Sequence, residues 1–249
     1  ISFWIVNHVW HLAKYNMGLS CCLGGTGMCI DTKLLKRYGW GATCLTEDME
    51  FTMKAIMENI PTTWAHDAII YDEKPLTFTA AWNQRQRWAQ GHFDVCHRYL
   101  PKMFMKGIRE HDWVVLDCTV NLFQPYFLMI STFFVICSYA YTIYPFYTNV
   151  LYTILPLEIW QIIGLGQYIF PVAVLWKIHA SKKSWLYLLL YPIFIYSWIP
   201  ITAIGWWHRN DHEWSHTAHT RGVSFDDIVI PDDAVNEGPK QIDFTNKKK

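Results

Sequence analysis

The feature that most constrains this chain is a run of apolar sequence from about residue 113 to 207. Within it, Pro125 to Tyr144, about Val150 to Ile178, and Trp185 to Trp207 approach the roughly 20 apolar residues that a bilayer-crossing helix needs. Tyrosines and tryptophans gather near their ends, as in the aromatic belts at membrane surfaces. Composition agrees: 52% of the 249 residues are hydrophobic and 17% are charged, against about 25% charged in an ordinary soluble domain. The competing reading, buried core helices of a large soluble protein, has to explain three such stretches in succession. The polar break KIHASKKS carries Lys177, Lys182 and Lys183, an excess of lysine that predicts a cytosolic loop. Ahead of the first stretch, PKMFMKGIREHDW mixes bases with Met103, Phe104 and Ile108, a pattern suited to lying along a membrane surface.

A formal net charge of zero argues against a nucleic-acid partner. The seven cysteines form no CxxC pair and sit in apolar sequence, which predicts buried, reduced thiols and a cytosolic or membrane setting. The chain starts Ile1-Ser2-Phe3 without a recognisable signal peptide, and the expectation is that it is the back part of a longer protein.

Residues 1 to about 112 mix polar and apolar residues as a water-facing domain does. Ile1 to about Tyr15 reads as a helix. SCCLGGTGMCI reads as a short apolar strand interrupted by Gly24, Gly25 and Gly27. Thr46 to Asn59 reads as a helix, with Met49, Met53, Ile56 and Ile60 on one stripe and Pro61 as its stop. Thr62 to Tyr71 is rich in β-formers. A second helix is expected from Phe78 to about Tyr99, with Trp82, Ala89, Phe93, Cys96 and Leu100 on its core side. Helices alternating with strands predict an α/β domain.

Two constellations carry chemistry. In LTEDMEF, Thr46 is a favoured N-cap and Glu47 and Asp48 suit the positive end of a helix dipole. The same carboxylates can supply a general base, an effect typically worth about 10²–10⁴-fold in rate. In QRQRWAQG, a helix places Gln84, Arg87, Trp88 and Gly91 on one face. A guanidinium there can grip a diphosphate with a planar fork, and an indole can stack on a sugar ring. The plain alternative makes Arg85 and Arg87 solvated helix charges and Trp88 a core residue.

The TED sequence, followed 36 residues after its Asp by QxxRW, resembles the signature of membrane-embedded family 2 glycosyltransferases, the group of cellulose, chitin, hyaluronan and poly-N-acetylglucosamine synthases. GGTGM before TED, the Tyr71–Pro75 approach to the helix and the apolar stretches afterwards extend the likeness over most of the chain. The resemblance implies an α/β fold, the C-terminal part of a GT-A type nucleotide-sugar transferase domain (residues 1–112), followed by a transmembrane α-helical bundle (113–207) and a polar tail (208–249). It implies Asp48 as catalytic base with Glu47 in support, and Thr46, Gln84, Arg87, Trp88, Gly25 and Thr26 in substrate binding. It implies inverting transfer from a nucleotide-sugar donor to a saccharide or lipid acceptor, with membrane lipid around it, at a bacterial plasma membrane. It also implies a divalent metal, Mg or Mn, held by an Asp-x-Asp motif. This chain has no Asp-x-Asp. Asp226-Asp227 and Asp232-Asp233 lie in the polar tail and are poor substitutes.

EWSHTAHTRG, after the last apolar stretch, resembles the cytosolic segment that closes over the nucleotide in related synthases, which marks Trp214, Thr217, His219 and Arg221 as donor-gating candidates. A rival from another class is a membrane di-iron oxidase, because His208, His212 and His216 repeat at helical spacing. The remaining histidines are scattered, unlike the several clusters such an oxidase uses. Two further alternatives are a non-processive enzyme that transfers one sugar to a lipid, and a non-catalytic membrane subunit without a donor site. Three full crossings would put Trp214 to Arg221 on the wrong side for gating. Either the second stretch does not cross, or the last, broken by Pro192 and Pro200, does not cross fully.

Overall fold

The structure, a computed structural model, describes residues 2–70, 72–143, 166, 168–177 and 179–211, all within one compact unit, Ile1–Thr217. The gating candidates Trp214, Thr217, His219 and Arg221, together with Tyr71, His212, His216 and most of the Val150–Ile178 stretch, lie outside the described residues.

The chain opens with α1 (Ser2–Ile5), a π-helical turn (Val6–His11) and α2 (Leu12–Asn16), close to the helix expected there. α3 (Thr32–Tyr38) follows a Gly-rich loop. Its cap is Asp31, whose side chain accepts from the Lys33 and Leu34 amides at 2.6 and 3.4 Å. α4 (Glu47–Met57) turns Phe51, Met53, Ala55 and Ile56 inward. α5 (Phe78–Glu110) is capped by Thr77, and α6 (Trp113–Ile143) by Asp112, which accepts from the Val114 and Val115 amides. α7 (Ile169–Lys177) precedes an apolar segment built of α8 (Lys182–Leu186), a 3₁₀ turn (Tyr187–Leu190), α9 (Tyr191–Tyr196) and α10 (Trp198–Trp207).

The strands expected in SCCLGGTGMCI and from Thr62 to Tyr71 are not formed among the described residues. A strand needs a ladder of neighbours, and these segments offer each other one rung. Cys21 donates its amide to the Thr62 carbonyl at 3.0 Å, and Ser20 Oγ takes the Thr62 amide at 2.9 Å. The second helix runs well beyond Tyr99, through Pro101 to Glu110, so that PKMFMKGIRE continues α5 rather than forming a separate piece. The first apolar helix begins at Trp113, twelve residues before Pro125, because Asp112 caps it there.

α5 is the organising element. It turns back at His111 into α6, and Gly107 lets the two backbones close: a Cβ there would lie 2.7 Å from Leu116 Cδ2. Further along the hairpin, Phe93 meets Tyr126 edge-on at 5.0 Å. α10 lies on α5 at Gly205, where a Cβ would come within 2.6 Å of Ala89 Cβ. The core joins Met53 and Ile56 of α4, Val95, Cys96 and Met103 of α5, and Val115 and Leu122 of α6. Lys14, 6% exposed, pairs with Asp117 at 2.5 Å and ties α2 to α6. Among the described residues, two segments are long and apolar enough to cross a membrane, Trp113–Phe134 and Lys182–Trp207. Both leave large apolar side chains exposed, among them Phe127, Phe133, Leu189 and Ile193.

Candidate functional site

The site is assembled from the Gly24–Gly27 loop, the start of α4 and one face of α5. Gly25 backs directly onto the acids. A Cβ at Gly25 would sit 3.5 Å from Asp48 Oδ2 and 3.9 Å from Glu47 Oε1. Both carboxylates are half-buried. Asp48 Oδ1 accepts the Met49 amide at 2.7 Å. Burial raises the Asp48 pKa above the ordinary carboxylate value and the neighbouring Glu47 charge adds to that, against the Met49 and Gly25 amides, which favour the anion.

Thr46 does not cap α4 through its side chain, contrary to expectation. Its side chain is buried against α5. A Cβ at Gly91 would meet Thr46 Cγ2 and Oγ1 at 2.6 Å and the Thr46 amide nitrogen at 2.8 Å. Only glycine at position 91 lets the α5 backbone touch the start of α4. This one contact brings the two sequence constellations together. Trp88 and Gln84 lie on the Gly91 face, about 4.5 Å and about 10 Å back along the helix axis. Gln84, Arg87 and Trp88 are all half-buried, and the Trp88 and Phe3 rings stand nearly perpendicular with their centres 6.3 Å apart. The Thr26 hydroxyl donates to Asp72 Oδ2 at 3.1 Å. Asp72 is also paired with Lys74 at 2.5 Å, and Lys74 lies 4.1 Å from the centre of the Phe3 ring. A continuous set of contacts therefore links the glycine loop to Trp88.

Three residues that matter here escaped the sequence reading. Glu50, 2% exposed, accepts the Thr43 and Cys44 amides at 2.7 and 3.0 Å through one oxygen. Through the other it meets Lys54 Nζ at 3.0 Å and takes the Tyr99 hydroxyl at 3.2 Å. Burial opposes its charge, but the Thr43 amide, Lys54 and the Cys44 amide together hold its pKa down at about 2. Glu50 thus folds the loop that delivers Thr46 to Gly91. Thr52 accepts the Leu23 amide at 3.0 Å and donates to the Asp48 carbonyl at 2.8 Å, which ties the glycine loop to α4. Arg85, read as a possible solvated charge, is 2% exposed and packed against α9 and α10. The available signals were Glu50 two residues after Asp48 and Thr52 four after it, on the same helix. Arg85 had none, because its partners lie more than a hundred residues away.

The described residues hold no group of three or more His, Cys, Asp or Glu placed to hold a metal. Glu47 and Asp48 stand as a pair, and the described residues do not fit the divalent metal that the resemblance implies.

The family model described as "Glycosyl transferase family group 2" matches residues 2–207. The "Probable glycosyltransferase YdaM" of Bacillus subtilis (strain 168) is 30% identical over 81 residues, which cover 32% of this chain and 19% of that protein. No solved structure matches the chain. The TED turn, the QxxRW helix and both apolar helices all fall inside the matched residues, and the chain belongs to glycosyl transferase family group 2.

Proposed function

We propose that this chain carries the acceptor-side chemistry of an inverting glycosyltransferase that extends a polysaccharide at a membrane. The observation that carries the reading is the double glycine seat. Gly25 backs onto the Asp48 and Glu47 carboxylates, and Gly91 seats Thr46 against the QxxRW helix. Asp48 takes the proton of the acceptor hydroxyl. The oxygen attacks the anomeric carbon of the donor, the bond from that carbon to the diphosphate breaks, and the nucleoside diphosphate leaves. Burial, with the neighbouring Glu47 charge adding to it, keeps the Asp48 proton affinity raised, as a general base requires. Arg87 grips the leaving diphosphate with its planar fork, Gln84 hydrogen-bonds at the same face, and Trp88 offers its ring to the acceptor sugar. Gly25 leaves space for that sugar beside the carboxylates. Residues 1–112 act as the catalytic part and residues 113–207 as the membrane part.

The packing of α10 supports a cytosolic position for its C-terminal end. Gln90 Nε2 donates to the His208 carbonyl at 3.4 Å, so the chain leaves α10 beside the QxxRW helix. The last apolar stretch then does not cross the bilayer fully, because its end at His208 stays on the QxxRW side.

The test is Asp48→Asn in the full-length protein in membranes, read as sugar transfer from nucleotide-sugar donors. A loss of about 10²–10⁴-fold is expected. Near-normal transfer removes Asp48 as the base.

A further inference from the structure

We infer that Arg85 is a positioning residue that latches the QxxRW helix to the apolar segment 191–207, so that this segment sets the angle at which Gln84, Arg87 and Trp88 meet the substrate. The inference rests on the glycosyltransferase reading of that face.

Arg85 is 2% exposed. Its Nε donates to the Ala81 carbonyl of its own helix at 3.0 Å. Its Nη1 donates to the Phe194 carbonyl at 3.2 Å and to Ser197 Oγ at 2.7 Å. The guanidinium lies 4.2 Å from the centre of the Phe194 ring, 5.5 Å from that of Trp198 and 5.7 Å from that of Phe78. Among the described residues it has no carboxylate partner, and its Nη2 is buried without a hydrogen-bond partner. A buried cation is costly unless its partners are well placed. The placement of those partners is therefore the content of the contact.

Ser197 stands at the junction of α9 and α10 and is itself 8% exposed. Its hydroxyl donates to the Phe194 carbonyl at 2.6 Å and accepts from Arg85, so a single polar knot holds the junction against α5. Eight residues on, Gly205 fits against Ala89. These two contacts, about 12 Å apart along the segment, fix both the height and the rotation of α5. Arg85 lies about 160° around the helix from Arg87, about 100° from Gln84 and about 60° from Trp88, so the latch grips a flank of the helix beside the substrate face. A rotation of about 10° moves a group about 6 Å from the axis by about 1 Å. A shift of about 1 Å can change turnover by about 10²-fold. Lysine cannot replace arginine here, because one ammonium cannot serve Ala81, Phe194 and Ser197 in a plane and face three rings.

The experiment uses full-length protein in lipid nanodiscs with the variants Arg85→Lys, Ser197→Ala and Ser197→Thr. Hydrogen exchange of residues 191–207 reads the latch, and turnover per folded molecule reads its consequence. Arg85→Lys and Ser197→Ala are expected to raise exchange in 191–207 and to lower kcat by about 10-fold or more, with donor KM unchanged. Ser197→Thr keeps the hydroxyl and is expected to restore both, and the Arg85→Lys/Ser197→Ala pair to be no worse than Arg85→Lys alone. Unchanged exchange in both single variants overturns the latch. Raised exchange with unchanged kcat overturns the positioning role and leaves only packing. If the wild-type protein transfers no sugar from any donor, the glycosyltransferase reading fails, and the exchange measurement still decides the latch by itself.

Discussion

Replacing Gly91 with alanine tests the contact that joins the two halves of the site. The new Cβ would lie 2.6 Å from Thr46 Cγ2 and Oγ1 and 2.8 Å from the Thr46 amide nitrogen. Ordinary contact begins about 1 Å further out. A side-chain rotation of Thr46 relieves the first overlaps but not the one with the main chain, so the start of α4 must move from α5 by most of that distance. Overpacking costs about 1–3 kcal/mol, and alanine returns about 1 kcal/mol of helix propensity over glycine. The net loss of stability is then about 0–2 kcal/mol, and the protein stays folded. Turnover suffers more, because Asp48 sits in the first turn behind Thr46 and a displacement of about 1 Å is worth about 10²-fold. Gly107→Ala is the control. Its Cβ would press on Leu116 Cδ2 at 2.7 Å, a similar overlap on the same helix at the α5–α6 turn. The assay is sugar transfer per folded molecule, with folded fraction from thermal unfolding in nanodiscs. Gly91→Ala is expected to lose turnover out of proportion to stability, and Gly107→Ala to lose only stability. Equal turnover in the two variants would falsify the claim that Gly91 sets the geometry of the site.

Other outcomes follow from the buried ionisable groups and the Trp88 ring. With Asp48 as the proposed base, its protonation at low pH stops transfer, and burial raises its pKa, so the acidic limb of kcat/KM is expected above the ordinary value of about 3.9; a limb at or below that value contradicts the desolvation argument. Glu50→Gln leaves an amide facing Lys54 and Arg98 where a carboxylate stood and is expected to destabilise by about 3 kcal/mol, read as a shift in Tm, whereas a change within error means the network is incidental. His92 is kept neutral by burial, with its pKa lowered from 6.5 to about 4. Its folded-state pKa is depressed, so the unfolded state binds more protons between those values, and stability falls as pH drops from 6.5 towards 4. His92→Asn is expected to flatten that part of a stability–pH curve, and an unchanged slope assigns it to other groups. Trp88→Ala is expected to weaken acceptor use more than donor hydrolysis, and an equal loss of both removes the acceptor platform.

The sequence by itself determined the local elements. The stripe of Met49, Met53 and Ile56 set the inner face of α4, with Met53 and Ile56 almost fully buried. The shared face of Gln84, Arg87, Trp88 and Gly91 needed only the helical repeat. The apolar character of α6 and of the Lys182–Trp207 segment was visible in composition alone. Such features rest on spacing within one element, which is written in the chain. Tertiary structure decided what those faces meet. Thr46 is a natural cap in isolation, yet burial against Gly91 turns its side chain elsewhere. The glycine loop reads as a strand, but a strand exists only through its neighbours, and here one backbone rung to Thr62 is what it has. Glu50 looks like one more acid in a first turn until the Thr43 and Cys44 amides and Tyr99 converge on it. Arg85 looks solvated until a serine more than a hundred residues away meets it in an aromatic cage. Each of these is a pairing between distant segments, whose free energy depends on burial and partner geometry that no local pattern encodes.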